Sequence, residues 1–251
     1  MSTHHAPGRI TVSIVSHGHD LSLARLLDEL RRDRHGLIDR VVLTHNRSPR
    51  PPRPAIALAG APWTLVEIEP AVPLGFAANH NRAFAHCETA YFAVLNPDLH
   101  GLSSDFWPQL LRAAQRAGAG CAYPRLLNAD GSVQDNEREW VTPLSLLKRH
   151  VLRQRETRVD WVSGACWLVP AAVWRELGGL DEGYRMYCED TDWCLRLRHA
   201  GRTLEPADAS ALHDAARSSR RAGQAMLWHL GSLARLWTRP HWWRRLAWRA
   251  A

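Results

Sequence analysis

The stretch Arg9-Ile-Thr-Val-Ser-Ile-Val-Ser16 decides the fold, because a β-branched, apolar run of this length is typical of a buried strand. A helix should follow, since leucines recur at helical spacing after Asp20 or Ser22, either of which can cap it. Arg40–Thr44 has the composition of a second strand. Later segments continue the alternation, with strands at Trp63–Ile68, Tyr91–Leu95 and Cys121–Tyr123 and helices after Gly75 and Asp105. This order predicts βαβ units and a mostly parallel, doubly wound α/β sheet.

The bulk composition favours one large domain, or one domain with an appendage. The chain has 251 residues, of which 45% are hydrophobic, and this is ample for a packed core. It contains no long apolar run, so no transmembrane helix is expected. Residues Met1–His5 lack an apolar signal region, which favours a cytosolic protein. The five cysteines form no Cys-x-x-Cys pair, so we expect reduced, mostly buried thiols rather than a zinc site or a disulfide framework.

The positive charge is concentrated at the carboxyl end. Residues 215–251 hold eight arginines and no acids, whereas the whole chain has a net charge of +7, so the part before residue 215 is close to neutral. A nucleic-acid-binding module usually spreads its basic residues over a folded face, which makes such a module a distant alternative. We therefore expect a main domain over residues 1–215 and a helical, Arg/Trp-rich segment over residues 216–251.

A cluster of acids lies in the segment Leu180–Arg198. Glu189, Asp190 and Asp192 directly follow an aromatic-rich loop and begin an amphipathic run that ends at Gly201. Acids at the start of a helix suit the positive end of its dipole, and one of them can also act as a general base beside a bound sugar. Capping acids on a surface helix are an equally compatible interpretation, so this segment does not decide the function alone.

Asp98 directly follows an apolar strand and is a candidate metal ligand. Ligands of open α/β sheets bind at the carboxyl ends of the strands, and Asn96 adds a second oxygen there while Pro97 fixes the backbone. A carboxylate in this place can hold a divalent cation that binds a phosphate. Taken alone, Asn-Pro-Asp is more typical of a turn, and His213 alone is more typical of a structural or exposed histidine.

Taken together and in order, the segments from about Arg9 to about Trp237 resemble the family-2 glycosyltransferases of the GT-A fold. The closest group is the bacterial rhamnosyltransferase-like members that decorate cell-surface polysaccharides. The matching motifs, none of them specific alone, are Val12–Ser16, Leu74–Ala78 with Asn81-Arg82, Leu95–Asp98, Pro124–Gln134, Val162–Cys166, Gly178–Asp181, Met186–Arg196, Ala200-Gly201 and His213.

The resemblance implies a metal site and a catalytic base. Asp98 matches the family's metal motif and His213 a position that completes it, with Mg²⁺ or Mn²⁺ as the ion. Asp190 would be the general base and Glu189 its neighbour in the family's Glu-Asp pair, so that the acceptor attacks opposite the leaving nucleotide and the anomeric configuration inverts. Residues on the acceptor side would be Asp192, Arg196 as an ion-pair partner of these acids, and Trp161.

The resemblance also implies a nucleotide-sugar pocket, in which this chain departs from the family pattern. The residues assigned to the donor are Ser16, His17, His45, Asn46, Gly75, Asn81, Arg82, Asn96, Gly164 and Ala165. His45 replaces the aspartate that usually recognises the base, Ser16-His17 replaces a Tyr-Asn type pair, and Asn79-His80-Asn81 replaces a Gly-Asn-Asn core. These changes leave the base open, and we expect a dTDP- or UDP-sugar.

The tail has two parts with different interpretations. The first part has one apolar helical stripe, formed by Met226, Leu230, Leu233 and Trp237. It is an even choice whether this stripe packs on the main domain. After Pro240, three tryptophans alternate with arginines, which indicates an anchor at an anionic membrane surface and favours a peripheral protein on the inner face of the cell membrane. Stacking on single-stranded nucleic acid is the alternative, but a lipid-linked glycan acceptor favours the membrane.

The predicted function is therefore metal-dependent, inverting transfer of a sugar, with rhamnose a candidate, to a lipid-linked or polysaccharide acceptor in cell-surface glycan biosynthesis. A nucleotidyltransferase is a poorer alternative, because His17–Asp20 does not resemble a triphosphate-binding loop. The other alternative is a catalytically inactive glycosyltransferase-like subunit that scaffolds a partner enzyme. The altered base pocket supports it, whereas the presence of Asp98, Asp190 and His213 together speaks against it.

Overall fold

The fold is organised around one central strand, Ile10–Ser16, whose seven residues are all buried. A computed structural model describes residues 8–18, 20–47, 60–152, 158–214 and 222–243. The strands are β1 (Ile10–Ser16), β2 (Ile38–His45), β3 (Thr64–Ile68), β4 (Tyr91–Leu95), β5 (Leu99–His100), β6 (Ala119–Leu127), β7 (Glu137–Arg138), β8 (Trp161–Val162), β9 (Cys166–Pro170) and β10 (Thr203–His213). The helices are α1 (Asp20–Arg32), α2 (Phe76–Phe84), α3 (Phe106–Ala114), α4 (Pro143–His150), α5 (Ala171–Glu176), α6 (Glu189–His199), α7 (Ala222–Thr238) and α8 (Pro240–Trp243).

Eight of these strands form one sheet in the order β3-β2-β1-β4-β9-β6-β10-β5. β1 pairs in parallel with both β2 and β4, β3 extends this parallel half beyond β2, and β10 is parallel to β6. β9 runs antiparallel between β4 and β6, and β5 is antiparallel to the end of β10. The predicted mostly parallel α/β sheet is confirmed, with antiparallel β9 joining its two halves.

Helices cover both faces of the sheet, and alternate residues of each strand face different helices. Ile10, Val12 and Ile14 belong to the core beneath α1 and α3, where Leu23, Leu26, Leu27, Leu30, Phe106 and Trp107 also lie. On the other face, Phe92, Trp167, Trp174 and Trp193 fill the core beneath α2, α5 and α6. The Trp167 and Trp193 rings stack with centroids 5.0 Å apart. The five cysteines are free and buried, as the sequence predicts.

The tail helix α7 packs on the main domain. Leu233 and Leu236 lie in a third cluster with Trp140, Tyr184 and Cys188, and the Trp237 indole donates a hydrogen bond to the Val141 carbonyl at 3.0 Å. Packing is therefore confirmed for the carboxyl-terminal half of this helix, whereas Met226 and Leu230 of the predicted stripe are exposed. Within the part of the chain that the structure describes, no helix is both long and apolar enough to cross a membrane.

Several local predictions differ from the structure. The sequence predicts a short strand at Thr203–Pro206, but the structure has one longer strand, β10, whose register with β6 shifts between Pro206 and Ser210. It also predicts a helix from Asp105 to about Ala117, but α3 ends at Ala114, and Asp105 lies at its N-cap without a capping side-chain hydrogen bond. α4 was not predicted. Four prolines predict an irregular loop at 48–54, which lies outside the described residues.

Candidate active site

The carboxyl ends of β1, β2 and β4 meet at one edge of the sheet, because the three strands are parallel neighbours. Ser16 is paired with His45, and the Asn46 amide donates a hydrogen bond to the Ser16 carbonyl at 2.9 Å. Asn96 and Asp98 follow β4 directly. The polar residues predicted at separate strand ends are therefore brought together at this edge.

The pairing of β5 with β10 brings Asp98 and His213 together from distant parts of the chain. His213 is the register partner of Leu99, and its Nε2 lies 3.3 Å from Asp98 Oδ1. Both side chains are nearly buried, with 11% and 12% of their surface exposed. The predicted pair of metal ligands is thus assembled by the fold.

Gln134 sets the orientation of the His213 ring. His213 Nδ1 donates a hydrogen bond to Gln134 Oε1 at 2.9 Å, and Gln134 Nε2 donates one to the His213 carbonyl at 2.7 Å. An amide oxygen can only accept, so Nδ1 carries a proton, while Nε2 lies 3.3 Å from the Asn96 side-chain amide nitrogen, which can only donate. In this neutral form of the ring, the Nε2 lone pair lies beside Asp98. Orientation by the second ring nitrogen is typical of histidine metal ligands. Gln134 is the last residue of the motif Pro124–Gln134, and the sequence alone indicates no role for its side chain.

The arrangement of Asp98 and His213 fits a divalent cation. Two ligand atoms that bind at right angles with bonds of about 2.1 Å are about 3 Å apart, close to the observed separation. A carboxylate oxygen and a neutral imidazole nitrogen are both suitable donors for Mg²⁺ or Mn²⁺. The described residues contain no group of three or more His, Cys, Asp or Glu side chains that could hold a metal ion.

Asp190 lies at the start of α6 beside a backbone turn between β8 and β9. Its Oδ2 accepts a hydrogen bond from the Gly164 amide at 3.3 Å and its Oδ1 one from the Thr191 amide at 2.7 Å. A Cβ added at Gly164 would lie 3.3 Å from the Phe76 ring and 3.6 Å from the Asp190 Cβ. The carbonyl of Ala165 accepts a hydrogen bond from the Asn96 amide at 2.8 Å. Gly164-Ala165 therefore links Asp190 to the turn Asn96–Asp98, which carries the candidate metal ligand.

Burial perturbs both members of the Glu189-Asp190 pair. It raises the pKa of Asp190, although the amide donors of Thr191 and Gly164 act in the opposite direction. The pKa of Glu189 is raised by burial and by repulsion from Asp190. Glu189 is only 6% exposed, and its Oε2 has no hydrogen-bond partner among the described residues. Adjacent buried carboxyls ionise one at a time, so the negative charge is better placed on Asp190, which has two amide donors, and the proton on Glu189.

The third acid, Asp192, connects α6 to the preceding loop through hydrogen bonds with Arg196 and Tyr184. It is 1% exposed and pairs with Arg196 Nε at 2.8 Å, which confirms the predicted ion pair. Arg196 also donates hydrogen bonds to the carbonyls of Leu177 and Gly179, while Tyr184 donates its hydroxyl proton to Asp192 at 3.3 Å. Trp161 donates its indole N–H to a backbone carbonyl in the neighbouring strand region and packs between two core clusters.

The residues predicted to bind the donor occupy the expected edge, but several of them also hold the protein together. The Asn46 amide group donates to the Leu74 carbonyl and accepts from the Leu74 amide. Asn81 makes the same paired contact with Leu180, and Gly75 has no room for a Cβ because the Arg185 carbonyl would lie 2.6 Å away. Arg82 and His17 are exposed, the former in the last turn of α2. Contact of these residues with a donor remains a prediction.

Two of the positions that depart from the family pattern, His45 and His80, each bond to a neighbouring side chain. Glu67, which the sequence analysis did not select, accepts a hydrogen bond from His45 Nε2 at 2.8 Å. A carboxylate is therefore present beside position 45 although the usual aspartate is absent. His80 is fully buried, bonds to Ser13 Oγ at 2.8 Å, and has a pKa lowered to about 3 by burial, so it is a neutral core residue.

Known proteins are similar to this chain in sequence and in fold. No family model matches the chain. It is 27% identical over 248 residues to rhamnosyltransferase WbbL of Escherichia coli, covering 90% of this chain and 91% of that protein. It is 30% identical over 150 residues to the N-acetylglucosaminyl-diphospho-decaprenol L-rhamnosyltransferase of Mycobacterium tuberculosis, covering 51% of this chain and 48% of that enzyme. A mannosyltransferase of Pyrobaculum calidifontis, solved with GDP-Man and Mn²⁺, superposes with a TM-score of 0.61 and 16% identity, covering 87% of this chain and 62% of that one.

The chain has the GT-A fold and is similar in sequence to the bacterial rhamnosyltransferases. The expected resemblance to the rhamnosyltransferase-like group is thereby confirmed, and the comparisons support transfer of a sugar from a nucleotide sugar. The chain spans nearly the whole of one curated relative but about half of the mycobacterial one.

Replacing the Asp190 carboxylate tests its role in this glycosyltransferase. Asp190→Asn keeps the size of the side chain but removes the proton acceptor, so we expect turnover to fall by at least about 100-fold while the dissociation constant of the donor is unchanged. Steady-state kinetics and calorimetric nucleotide binding measure the two quantities. Asp208→Asn, at an exposed acid of β10, is the matched control and should have wild-type turnover. Full turnover in Asp190→Asn would exclude Asp190 as the base.

Proposed function

We propose that this glycosyltransferase transfers L-rhamnose, with inversion and with a divalent cation, from a dTDP- or UDP-sugar to a lipid-linked glycan acceptor in cell-surface glycan biosynthesis. One observation carries the proposal: the main chain of Gly164-Ala165 joins a base candidate, Asp190, to the turn that holds Asp98 beside His213. The Gly164 amide donates to the Asp190 carboxylate, and the Ala165 carbonyl accepts from the Asn96 amide. The names of the two rhamnosyltransferases support the sugar, and the mycobacterial name supports a lipid diphosphate acceptor.

Asp190 is the residue that takes the proton in this reaction. An acceptor hydroxyl attacks the anomeric carbon on the face opposite the diphosphate, and its proton passes to the Asp190 carboxylate as the new C–O bond forms. The bond between the anomeric carbon and the diphosphate oxygen breaks, and the electron pair leaves with the nucleotide. The amides of Gly164 and Thr191 donate to the two oxygens of this carboxylate and hold it in place, and a remaining lone pair would take the proton.

Asp98 and His213 would hold the cation, and Gln134 would keep His213 in the required tautomer. When bound, the ion neutralises the negative charge that develops on the leaving diphosphate. The Mn²⁺ in the Pyrobaculum mannosyltransferase structure supports this assignment.

Removal of one metal ligand should make nucleotide binding insensitive to the metal. In Asp98→Ala, Mn²⁺ should no longer tighten binding of the nucleoside diphosphate, because half of the protein's ligand pair is lost. Titration calorimetry with Mn²⁺ and with a chelator measures this difference. Asp105→Ala, at an exposed aspartate outside the site, should behave as wild type. A wild-type affinity that is equal with Mn²⁺ and with chelator would contradict the metal role.

His45 and Glu67 together would recognise the base. Because Glu67 accepts from Nε2, His45 presents Nδ1 as an acceptor, which suits the imide N–H of uracil or thymine. Ser16 and Asn46 lie next to His45 at the ends of β1 and β2, where the base would be bound. The carboxylate function of the missing aspartate is thus supplied through a histidine.

A thermal-shift screen of nucleotides tests the donor assignment. Uridine and deoxythymidine diphosphates should stabilise the protein with Mn²⁺ more than cytidine or adenosine diphosphate does, since their ring N–H can donate to the His45 acceptor whereas the corresponding ring nitrogen of cytosine or adenine carries no hydrogen. Glu67→Gln should weaken pyrimidine binding about tenfold, or about 1.4 kcal/mol. Glu69→Gln, two residues further along, serves as the control. If no nucleotide stabilises the wild-type protein, the inactive-subunit alternative is favoured instead.

Exposed apolar side chains of α7 and α4 suit contact with a membrane surface. Met226, Leu227 and Leu230 of α7 are 56–70% exposed, and Leu144 and Leu147 of α4 are also exposed. The distal tail adds arginines and Trp248, although residues 244–251 lie outside the described residues. Trp242 differs from the prediction for the tail, because it packs towards Trp140 with ring centroids 6.0 Å apart. We place the protein peripherally on the inner face of the cell membrane.

Deleting residues 244–251 tests this membrane contact without removing α8. The full chain should sediment with vesicles that contain phosphatidylglycerol, and the truncated chain should bind them several-fold more weakly because it loses three arginines and a tryptophan. Vesicles of phosphatidylcholine alone are the control for the charge requirement. Equal binding of both chains to anionic vesicles would show that this segment is not the anchor.

A further inference from the structure

The loop that precedes the catalytic acids has a backbone that amino acids with side chains rarely adopt. We call residues 181–188 the base loop. Tyr187 and Cys188 have φ values of 72° and 66°, in the left-handed region, and Cys188 is the N-cap of α6. The direction in which Glu189 and Asp190 leave the loop depends on these two residues. Strained residues of this kind persist only where the surrounding structure holds them.

Helix α7 supplies much of that restraint from one side. Ser232 donates its hydroxyl proton to the Met186 carbonyl at 2.9 Å, and the His229 ring packs against Tyr187 at 5.1 Å between centroids. Leu233 and Leu236 lie in the same buried cluster as Cys188. The tail helix therefore contacts the three residues immediately before Glu189.

Arg235 of the same helix fixes the other end of the base loop. Its guanidinium donates to both Asp181 carboxylate oxygens, at 2.9 and 3.0 Å, and lies over the Tyr184 ring at 5.3 Å. It also fills the space in which a Cβ at Gly183 would lie. Tyr184 in turn bonds to Asp192 of α6, so Arg235 acts on the helix that carries Asp190.

The opposite side of the base loop rests on α2. Asn81 bonds to both the carbonyl and the amide of Leu180, and the Arg185 carbonyl is packed against Gly75. The base loop is thus held between α2, which belongs to the donor half of the sheet, and α7, which belongs to the tail. A loop held from both sides has little freedom to relax its left-handed residues.

We propose that α7 is a positioning element of the active site. Its residues Ser232 and Arg235 hold the base loop in the strained conformation, and this conformation orients Asp190. The inference rests on Asp190 being the base of the proposed function. It gives the tail a role in turnover that is separate from membrane binding. It also makes Ser232 and Arg235 positioning residues, since both act through the loop rather than on a substrate.

Arg235→Met tests the inference, because it keeps the aliphatic stem and removes the contacts with Asp181. We expect kcat to fall at least about tenfold, since small displacements of a catalytic group are costly, while donor affinity and vesicle binding stay at wild-type values. Arg202→Met is the matched control: Arg202 is 37% exposed against 38% for Arg235, and it also pairs with one acid, Glu176, at 3.0 Å. An equal loss of kcat in both variants, or none in Arg235→Met, would overturn the proposal.

Milder variants keep the test decisive if Arg235→Met folds poorly. Ser232→Ala removes only the hydroxyl that binds Met186 and should lower kcat, whereas Ser232→Thr keeps the hydroxyl and should restore it. Thr238→Ala removes an exposed hydroxyl from the same helix and should have no effect. Wild-type kcat in Ser232→Ala would contradict the role of this contact.

Amide hydrogen exchange separates this inference from the proposed function. Exchange over residues 181–188 should be faster in Arg235→Met and Ser232→Ala than in wild type and unchanged in Thr238→Ala. An inactive wild-type protein would overturn the transfer reaction, but exchange would still show whether α7 holds the loop. Unchanged exchange in both α7 variants would overturn the positioning role whatever the activity.

Discussion

The main chain of Gly164-Ala165 connects the two halves of the candidate active site. The Gly164 amide donates to the Asp190 carboxylate, and the carbonyl of Ala165 accepts from the Asn96 amide. A Cβ at residue 164 would lie 3.3 Å from the Phe76 ring, so any larger residue there would press on that ring. The distance from Asp190 to the Asp98–His213 pair therefore depends on the main-chain geometry of these two residues.

The pattern of apolar residues predicts much of the sheet, because each buried strand is a short run of apolar and β-branched residues. Tyr91–Leu95 was predicted with its observed bounds, and Ile10–Ser16 within one residue. The direction of β9 could not be predicted, since a short buried strand has the same composition whichever way it runs. α4 was missed because its capping box pairs Thr142 with a serine and two of its leucines are exposed.

Fewer features of the site than of the sheet could be predicted from local sequence. The proximity of Asp98 and His213 was predicted only from the family resemblance, since the pairing of β5 with β10 has no local sequence signal. Gln134 and Glu67 were not selected because their roles depend on the residue that each one contacts in the folded chain. The tail was interpreted from its charge, yet Arg235 and Arg239 both bind Asp181 of the main domain. Part of the tail's positive charge is thus neutralised inside the protein.

The order of these parts along the chain bears on how such enzymes diversify. Most residues assigned to the donor lie before residue 100, and the acid cluster with its tail helix lies after residue 160. Recombination between related genes in the intervening region would combine most of the nucleotide pocket of one parent with the acid cluster of the other. Several contacts join the two parts: His213 lies beside Asp98, the Ala165 carbonyl accepts from the Asn96 amide, and Asn81 bonds to Leu180. A functional chimera must therefore preserve these few contacts across the junction, and new sugar linkages can arise without a new fold.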